Sequence, residues 1–267
     1  MKTLKNILFS IICIASLVSC NQTHNENTIV VGASAAPHAE ILEVTKEILK
    51  EKGYTLEIKT FADYITPNTA LEDDELDANY FQHITYLNNF NNEYNTHLTS
   101  VGNVHYEPFG IYAGSKNNLS NVSNGDTILV PNDSTNEARA LLLLEQEGLI
   151  EVDDNAGIYA TKNDITNNPY NLNIVEMNAE LIPGVREDGA YAVINGNYAI
   201  SAGLSVSDAL AIESSNGQAA QAYANVLAVK QGNETNKKVI ALYEALTSAT
   251  VKDFINEKYN GSVVALF

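Results

Sequence analysis

The stretch of sequence that decides the fold is TIVVGASAAPHAEILEVTKEILKEKGYTLEIKTF, residues 28–61. Residues 28–32 form a short apolar run typical of a buried strand, and Pro37 suits the first turn of the helix that follows. Apolar residues then recur at helical spacing between 41 and 49, and residues 54–61 alternate apolar and polar as a half-buried strand does. The pattern predicts a strand–helix–strand unit, and such units build parallel sheets.

A second region of the chain also alternates predicted strands and helices. TILV at 127–130 predicts a strand, residues 135–147 predict a helix, and NIVEM at 173–177 and AYAVI at 190–194 predict further strands. Residues 236–259 predict a C-terminal helix. The fold class is therefore α/β, and we expect two lobes with a cleft between them. In open sheets of this kind, ligands bind beyond the carboxyl ends of the strands.

The N-terminus has the features of an export signal. An apolar run at 7–18 follows two lysines and is too short to span a bilayer, so residues 1–19 are interpreted as a signal peptide. Leu-Val-Ser at 17–19 before Cys20 resembles a bacterial lipobox, which predicts cleavage before Cys20 and its lipidation. The alternative is an ordinary signal with an incidental cysteine. Residues 20–27 are polar and predict a flexible tether.

Composition narrows the class of protein further. Removal of residues 1–19 leaves 248 residues, enough for two domains. Cys13 and Cys20 are the only cysteines, so a chain lipidated at Cys20 has neither a disulfide nor a thiolate metal site. Loss of the two lysines in the signal takes the formal net charge from −18 to −20. Such acidity argues against nucleic acid, because phosphate binding needs clustered Lys and Arg.

The segment PNDSTNEAR, residues 131–139, directly follows a predicted strand. Asp133 and Ser134 are good helix N-cap candidates, and the start of that helix presents free N–H groups. Asn136 and Arg139 lie three residues apart, on one helix face. Together they could receive a carboxylate, which an arginine grips bidentately. The alternative is a surface Arg139 paired with Glu137 or another nearby acid.

Two asparagines also lie at the ends of predicted strands. Asn195 follows AYAVI and precedes a turn glycine, and Asn225 leads into an apolar strand. Each amide offers both a donor and an acceptor, which suits the ammonium or carboxylate of an amino acid. The alternatives are a turn-forming asparagine at 195 and a strand-edge cap at 225.

An aromatic segment completes the candidate site. Residues 77–86 include Phe81, His83 and Tyr86, which together with Tyr64 could line an apolar pocket. Aromatic rings pack well against a thioether sulfur. The alternative is an aromatic stripe within the core.

Motifs for catalysis do not occur in the sequence. It contains no GxSxG, HExxH, P-loop or GxGxxG pattern, so we expect neither an enzyme nor a cofactor. A metal cage built from His38, His83 and His105 is conceivable, but their spacing does not require one. We therefore expect no metal site.

Six stretches occur in the order found in one known family. The chain resembles the methionine-binding lipoproteins of ABC importers, the NlpA lipoprotein family, in a pattern that spans nearly the whole mature chain. The matching stretches are VGASAAPHAEIL (31–42), FADYITPNTAL (61–71), DANYFQH (77–83), VPNDSTNEARALLLLEQEGLI (130–150), NIVEM (173–177) and AYAVINGNYA (190–199).

The resemblance implies the type II periplasmic-binding-protein fold, with two α/β lobes joined by two crossovers. One lobe would comprise residues 28–108 and 225–267, and the other residues 109–224. Ligand binding would close the lobes by a hinge motion.

The resemblance also implies roles for particular residues. Arg139 would hold the ligand carboxylate, and Asn195 and Asn225 would bind the amine and carboxylate. Asn136 belongs to the same motif and is included. The side-chain pocket would be walled by Tyr64, Phe81, His83 and Tyr86.

The implied protein is an extracytoplasmic lipoprotein that captures L-methionine. Its expected partners are an ABC importer permease with its ATPase, and the membrane through the lipid on Cys20; we expect a monomer. The alternatives are a methionine-containing dipeptide or another small amino acid as ligand and, more distantly, a metal-capture lipoprotein.

Overall fold

The computed structural model describes residues 27–214 and 217–267, without the side chains of residues 217–219. The predicted signal peptide, Cys20 and all but the last residue of the predicted tether lie outside the described residues. Within them, no helix combines the length and apolar character needed to cross a membrane.

The described chain alternates strands and helices. The strands are β1 (Thr28–Ser34), β2 (Thr55–Phe61), β3 (Ala78–His83), β4 (Leu98–Tyr106), β5 (Gly110–Ala113), β6 (Thr127–Pro131), β7 (Glu151–Val152), β8 (Ile165–Asn167), β9 (Asn173–Met177), β10 (Tyr191–Ile194), β11 (Ala209–Ile212), β12 (Asn225–Lys230) and β13 (Val264–Ala265). The α-helices are α1 (Glu40–Glu51), α2 (Thr66–Glu72), α3 (Ile84–Tyr94), α4 (Ser134–Gln146), α5 (Ile182–Val185), α6 (Gly196–Ser201), α7 (Gly217–Ala222), α8 (Lys237–Leu246) and α9 (Ala249–Tyr259).

Two mixed sheets organise the chain. The first has the order β13-β4-β12-β3-β1-β2, in which β1 runs parallel to β2 and β3, and β12 runs antiparallel to β3 and β4. The second has the order β11-β5-β10-β6-β9, in which β6 runs parallel to β9 and β10. The predicted α/β class with two lobes is confirmed.

The opening strand–helix–strand unit forms with one correction. β1 and β2 pair in parallel over seven residues, as the pattern predicts. The regular helix, however, begins at Glu40 instead of the first turn expected at Pro37. Ala36 is extended, with φ −138° and ψ 145°, because the ring of a following proline disfavours the α region for the residue before it.

Each lobe has its own core. In the first, α1, α8 and α9 cover the sheet, with Ile41, Leu242 and Ile255 fully buried between them. In the second, α4 packs Leu141 and Leu144 against the sheet. Each such side chain contributes about 1.5–3 kcal/mol by its burial.

The predicted C-terminal helix is two helices. α8 ends at Leu246, and α9 begins at Ala249. Ser248 separates them because its Oγ accepts a hydrogen bond from the N–H of Val251 at 3.4 Å, as an N-cap does. Apolar periodicity continues across this break, which is why the sequence pattern did not reveal it.

The connections between the sheets place the cleft. The chain leaves the first sheet after β4 and enters the second at β5, and it returns between β11 and β12. The parallel strands β3, β6 and β10 therefore direct their carboxyl ends toward the space between the lobes. We propose the lobe boundaries at residues 108 and 224 that the resemblance implies.

Candidate functional site

A cavity lies between the lobes at the carboxyl ends of the parallel strands. Its empty volume, opening included, is about 340 Å³. All eight residues predicted from the sequence line it, and four further residues complete the wall. The lining residues are Tyr64, Phe81, Gln82, His83, Tyr86, Glu107, Asn136, Arg139, Asn195, Gly196, Asn197 and Asn225.

Arg139 is buried and already paired within the protein. Its Nε donates to Glu213 at 2.8 Å, while Nη2 donates to the same carboxylate and, at 2.9 Å, to the carbonyl oxygen of Glu107. The guanidinium lies between the rings of Phe109 and Tyr223, with its carbon 4.8 and 4.2 Å from the ring centroids. The alternative drawn from the sequence is wrong in placing Arg139 at the surface and in naming Glu137, but Arg139 does pair with an acid, Glu213.

The charge of Arg139 is stable in this setting. Burial alone would lower the pKa of Arg139, but the adjacent carboxylate of Glu213 raises it above its ordinary value. Among the described residues, no hydrogen bond comes from Nη1. The terminal nitrogen Nη1 is therefore the donor of Arg139 without a described partner, and Arg139 lines both this cavity and a second pocket beside Glu213.

Asn136 joins the two lobes. Asp133 caps helix α4 and accepts from the Nδ2 of Asn136 at 2.9 Å. The Oδ1 of Asn136 accepts from the Nδ2 of Asn195 at 2.8 Å and from the Nε2 of His83, across the cleft, at 3.3 Å. Both the nitrogen and the oxygen of the Asn136 amide therefore have partners in the protein, and these partners come from both lobes.

Asn195 and Asn197 each keep one buried polar atom free. Within the described chain, the Oδ1 of Asn195 and the Nδ2 of Asn197 have no hydrogen-bond partner. The Oδ1 of Asn197 accepts from the hydroxyl of Tyr64 at 2.6 Å. A buried unpaired acceptor and a buried unpaired donor therefore share one cavity, where each costs about 1–3 kcal/mol unless a ligand satisfies it.

Aromatic rings form one wall of the cavity. The ring of Tyr64 lies 5.9 Å from that of Phe81 and 5.7 Å from that of Tyr86. His83 caps α3, where its Nδ1 accepts from the N–H of Tyr86 at 3.0 Å. Burial, with a smaller contribution from Arg139, lowers the pKa of His83 to about 3, so the ring is neutral at neutral pH.

The three histidines of the conceivable metal cage do not come together. His38 and His105 lie beside Glu107, with their ligand atoms within 4.8 Å of one another, whereas His83 bonds to Asn136. The Nε2 atoms of His38 and His105 both face acceptor oxygens, and their Nδ1 atoms face hydroxyl groups. Each ring nitrogen of this pair therefore has a partner in the protein.

The sequence reasoning missed three polar residues that line the cavity, Gln82, Glu107 and Asn197, and one polar partner of Arg139, Glu213. Asn197 lies inside the AVINGNYA motif, so the motif itself was a signal for it. Glu107 is a lone acid in the apolar stretch VHYEPF, at the crossover. Glu213 follows strand β11 and had no local signal, because its partner Arg139 is 74 positions away.

Gly196 is required by close packing rather than by a turn. A Cβ at this position would lie 2.7 Å from the Cβ of Glu107 and 2.8 Å from its Oε2. The missing side chain therefore lets Glu107 approach the start of helix α6.

A wider groove adjoins the cavity and shares Tyr64 and Tyr86 with it. Its empty volume, opening included, is about 1050 Å³. The acidic residues along it come from both lobes, and its described lining contains neither lysine nor arginine. They are Asp63, Glu93, Asp133, Glu137 and Glu180.

Two α/β lobes around a cavity with unpaired polar atoms are typical of small-molecule binding proteins of the periplasmic-binding-protein class. The model of the NlpA lipoprotein family matches residues 29–267, and the chain belongs to this family. It is thus a lipoprotein-family substrate-binding protein and not an enzyme, as the sequence predicted.

Similar proteins agree with this assignment. The chain is 43% identical over 241 residues to the methionine-binding lipoprotein MetQ of Bacillus subtilis, covering 88% of this chain and 87% of that one. A nutrient binding protein from Burkholderia cenocepacia, solved bound to methionine, superposes with a TM-score of 0.85 at 38% identity, covering 90% of this chain and 100% of that one. An ABC transporter periplasmic substrate-binding protein from Coxiella burnetii gives 0.83 at 38% identity, covering 89% and 99%.

Proposed function

We propose that this chain captures a single free amino acid, L-methionine, in the cavity between its lobes and delivers it to an ABC importer. The observation that carries the proposal is the pair of unpaired buried atoms, the acceptor Oδ1 of Asn195 and the donor Nδ2 of Asn197. An amino acid brings one group for each of them, because its ammonium donates and its carboxylate accepts.

Charged partners reinforce this complementarity. The free Nη1 of Arg139 receives the ligand carboxylate, in a charged hydrogen bond worth about 1.5–3 kcal/mol net. The carboxylate of Glu107, only 5% exposed, lines the same cavity and is available to the ammonium. Asn225 contributes an amide to the site, and Asn136 holds Asn195 in place.

The aromatic wall determines the side chain that fits. Tyr64, Phe81, His83 and Tyr86 offer neutral ring surfaces, against which a thioether packs well. Burial of the methionine side chain adds about 1.5–3 kcal/mol. The methionine named for the relatives from B. subtilis and B. cenocepacia supports the same choice.

Delivery requires a membrane partner and an anchor. The relative from C. burnetii is described as part of an ABC transporter, which supports a permease with its ATPase as the receiving machinery. We propose that Cys20 carries the lipid and that residues 20–27 tether a monomer to the extracytoplasmic face of the membrane. Mass spectrometry of the membrane-extracted protein should show an acylated N-terminal Cys20.

A methionine-containing dipeptide is the second candidate ligand. The acidic groove adjoins the cavity at Tyr64 and Tyr86 and is wide enough to hold a further residue. Its acidic lining would favour the ammonium of an N-terminal extension. The unpaired acceptor of Asn195 and the unpaired donor of Asn197 belong to residues of one cavity, which favours the single amino acid.

Calorimetric titration distinguishes the ligands. The mature domain is denatured, dialysed, refolded and titrated separately with L-methionine, Gly-Met and a panel of other small amino acids. We expect one L-methionine per chain, bound at micromolar concentration or below, and weaker binding of Gly-Met. Preferred binding of Gly-Met would transfer the function to the dipeptide, and tight binding of another amino acid would overturn the choice of methionine. A protein that binds none of them but retains a stoichiometric metal in elemental analysis would be a metal-capture protein.

A further inference from the structure

Two hydrogen-bonded relays run from the interior of the first lobe to the cavity. The first begins at Ser34, the last residue of β1, whose Oγ lies 2.6 Å from the Nδ1 of His38. The Nε2 of His38 lies 3.0 Å from the Oδ1 of Asn225. His38 is fully buried and does not line the cavity, so it reaches the ligand space through Asn225.

The direction of these hydrogen bonds follows from the groups around His38. Its Nε2 faces two acceptors, the Oδ1 of Asn225 and, at 3.4 Å, a carboxylate oxygen of Glu107, so Nε2 carries the hydrogen. Burial lowers the pKa of His38 to about 4, so the ring is neutral and its Nδ1 accepts from the hydroxyl of Ser34. The amide of Asn225 is thereby fixed with its oxygen toward His38, and its Nδ2 is the donor that remains for the cavity.

The second relay has the same construction. The hydroxyl of Tyr80 is hydrogen-bonded to the Nδ1 of His105, and the Nε2 of His105 lies 2.7 Å from Glu107 Oε1. Burial lowers the pKa of His105 to about 3 and raises that of Tyr80 well above its ordinary value, so Tyr80 donates to a neutral ring. His105 in turn donates to Glu107, which also accepts from the backbone N–H of Asn197 in the other lobe.

Strand register explains why the two relays end side by side. Asn225, the first residue of β12, lies opposite both His105 of β4 and His83 of β3. The rings of His38 and His105 are 5.0 Å apart, and both approach the same oxygen of Glu107. One relay thus ends in an amide donor and the other in a carboxylate acceptor, at adjacent points of the wall.

We propose that His38 and His105 are positioning residues, which fix the amide of Asn225 and the carboxylate of Glu107 in the orientation that receives the two charged ends of an amino acid. The inference rests on the proposed function, because it assigns orientation to a site that binds a zwitterion. Neither histidine contacts the ligand. A side chain held in advance loses less conformational freedom on binding, which raises affinity without adding a contact.

A double-mutant cycle on His38 and Asn225 tests the first relay. Affinity for L-methionine is measured by calorimetry for the wild type, His38→Leu, Asn225→Ala and the double variant. We expect His38→Leu to weaken binding about tenfold, the equivalent of one net hydrogen bond, and to have less than a twofold effect once Asn225 is alanine. Equal effects in both backgrounds would overturn the positioning role, because a general loss of structure does not depend on Asn225.

Isosteric variants keep the test decisive if His38→Leu does not fold. In His38→Gln the amide nitrogen occupies the place of Nε2, whereas in His38→Asn it occupies that of Nδ1. We expect His38→Gln to bind close to wild type and His38→Asn to bind about tenfold more weakly; the reverse order would contradict the relay. The second relay is tested in the same way. Affinity is measured for His105→Gln and His105→Asn, each alone and combined with Glu107→Gln.

The matched control is His97→Leu. His97 is exposed and hydrogen-bonded to Glu72 at the surface, so its replacement should leave affinity unchanged. A wild-type chain that binds no amino acid would remove the proposed function and this inference together. A wild-type chain that binds L-methionine, with additive effects in the cycle, would remove the inference alone.

Discussion

At the scale of single residues, Arg139 shows how the site prepares a charge before the ligand arrives. Glu213 neutralises the guanidinium, and Phe109 and Tyr223 exclude water from its faces. Removing one member of a buried ion pair typically costs about 3–5 kcal/mol, because the other charge remains buried and unpaired. Glu213 therefore has two roles: it stabilises the second lobe, and it orients Arg139.

Variants of Arg139 and Glu213 should separate the effect on stability from the effect on ligand binding. We expect Arg139→Ala to lower the affinity for L-methionine by about 2–5 kcal/mol, since the ligand carboxylate loses its charged partner. Combining it with Glu213→Gln should restore much of the free energy of unfolding, because no unpaired charge remains, but should not restore binding.

Calorimetry and urea denaturation provide the two measurements. Arg186→Ala is the control, because Arg186 is the other arginine of the sequence, is partly exposed and lies outside the cavity. Binding by Arg139→Ala within a factor of three of the wild type would refute its ligand role.

Sequence reasoning located the part of the site that follows strands directly. Arg139 and Asn195 became candidates because a strand and a helix start, or a strand and a turn, mark their positions, the family resemblance selected them, and both line the cavity. Glu107 and Glu213 were not found, because their roles depend on partners distant in sequence. The distinction is physical, since local motifs encode backbone geometry, whereas an ion pair such as Arg139–Glu213, 74 positions apart, is encoded by the assembled fold.

At the scale of elements, helix α4 links the stability of the second lobe to the site. Asp133 caps the helix by accepting from the N–H of Asn136 at 3.0 Å, and it also holds the side chain of Asn136. We expect Asp133→Ala to lower the free energy of unfolding by about 0.5–2 kcal/mol and to weaken ligand binding, because Asn136 and then Asn195 lose their orientation.

An equivalent cap elsewhere provides the comparison. Asn236 caps α8 in the first lobe by accepting from the N–H of Lys238 at 3.0 Å, and it does not line the cavity. Asn236→Ala should cost similar stability, measured by urea denaturation, without loss of affinity. If the two variants bound L-methionine equally well, the link between the α4 cap and the site would be wrong.

The same helix carries a group that titrates near neutral pH. Burial, together with a hydrogen bond to Glu176, raises the pKa of Glu137 to about 7, although the N–H of Lys162 opposes the shift. The stability contributed by protonated Glu137 is therefore complete below pH 4.5 and is lost as the pH rises through about 7. Glutamine mimics the protonated acid, so we expect Glu137→Gln to unfold like the wild type at pH 4.5 and to be more stable than the wild type at pH 8.

Urea denaturation at several pH values measures this difference. The exposed Glu147→Gln, at the end of the same helix, controls for the loss of one negative charge. A difference between Glu137→Gln and the wild type that is the same at both pH values would contradict the shifted pKa.

Helices and strands could be predicted from the sequence where apolar residues recurred at a regular spacing and turn or capping residues marked the ends. β1, β2, β6, β9 and α4 lie within two residues of their predicted bounds. The break at Ser248 was missed because the helical spacing of apolar residues continues across it. The start of α1 at Glu40 was missed because Pro37 suits a first helical turn but also disfavours the helical conformation for Ala36.

At the scale of the whole molecule, the lobes touch through both apolar and polar groups. The rings of Tyr64 and Tyr198 stack at 4.9 Å across the cleft. The hydroxyl of Tyr198 donates to the carbonyl oxygen of Ala62 at 2.9 Å, and that of Tyr64 donates to Asn197. A ligand in the cavity would contact both lobes and would therefore bind the folded chain but not the unfolded chain.

Ligand should therefore stabilise the chain by mass action. At about 100 times the dissociation constant, L-methionine contributes about 2.7 kcal/mol, which corresponds to a rise in Tm of about 5–10 °C for a chain of this size. Differential scanning calorimetry with and without L-methionine, with L-aspartate as the comparison, measures the shift. Equal shifts for both amino acids would contradict the neutral aromatic pocket.

The most direct test is a crystal structure of the chain with L-methionine. The account predicts one ligand in the cavity between the lobes, with its carboxylate on Nη1 of Arg139 and on Asn197, its ammonium on Oδ1 of Asn195, and its thioether against Tyr64 and Phe81. A ligand bound elsewhere, or bound in this cavity with Asn195 and Asn197 still unpaired, would contradict the central claim that these atoms await an amino acid.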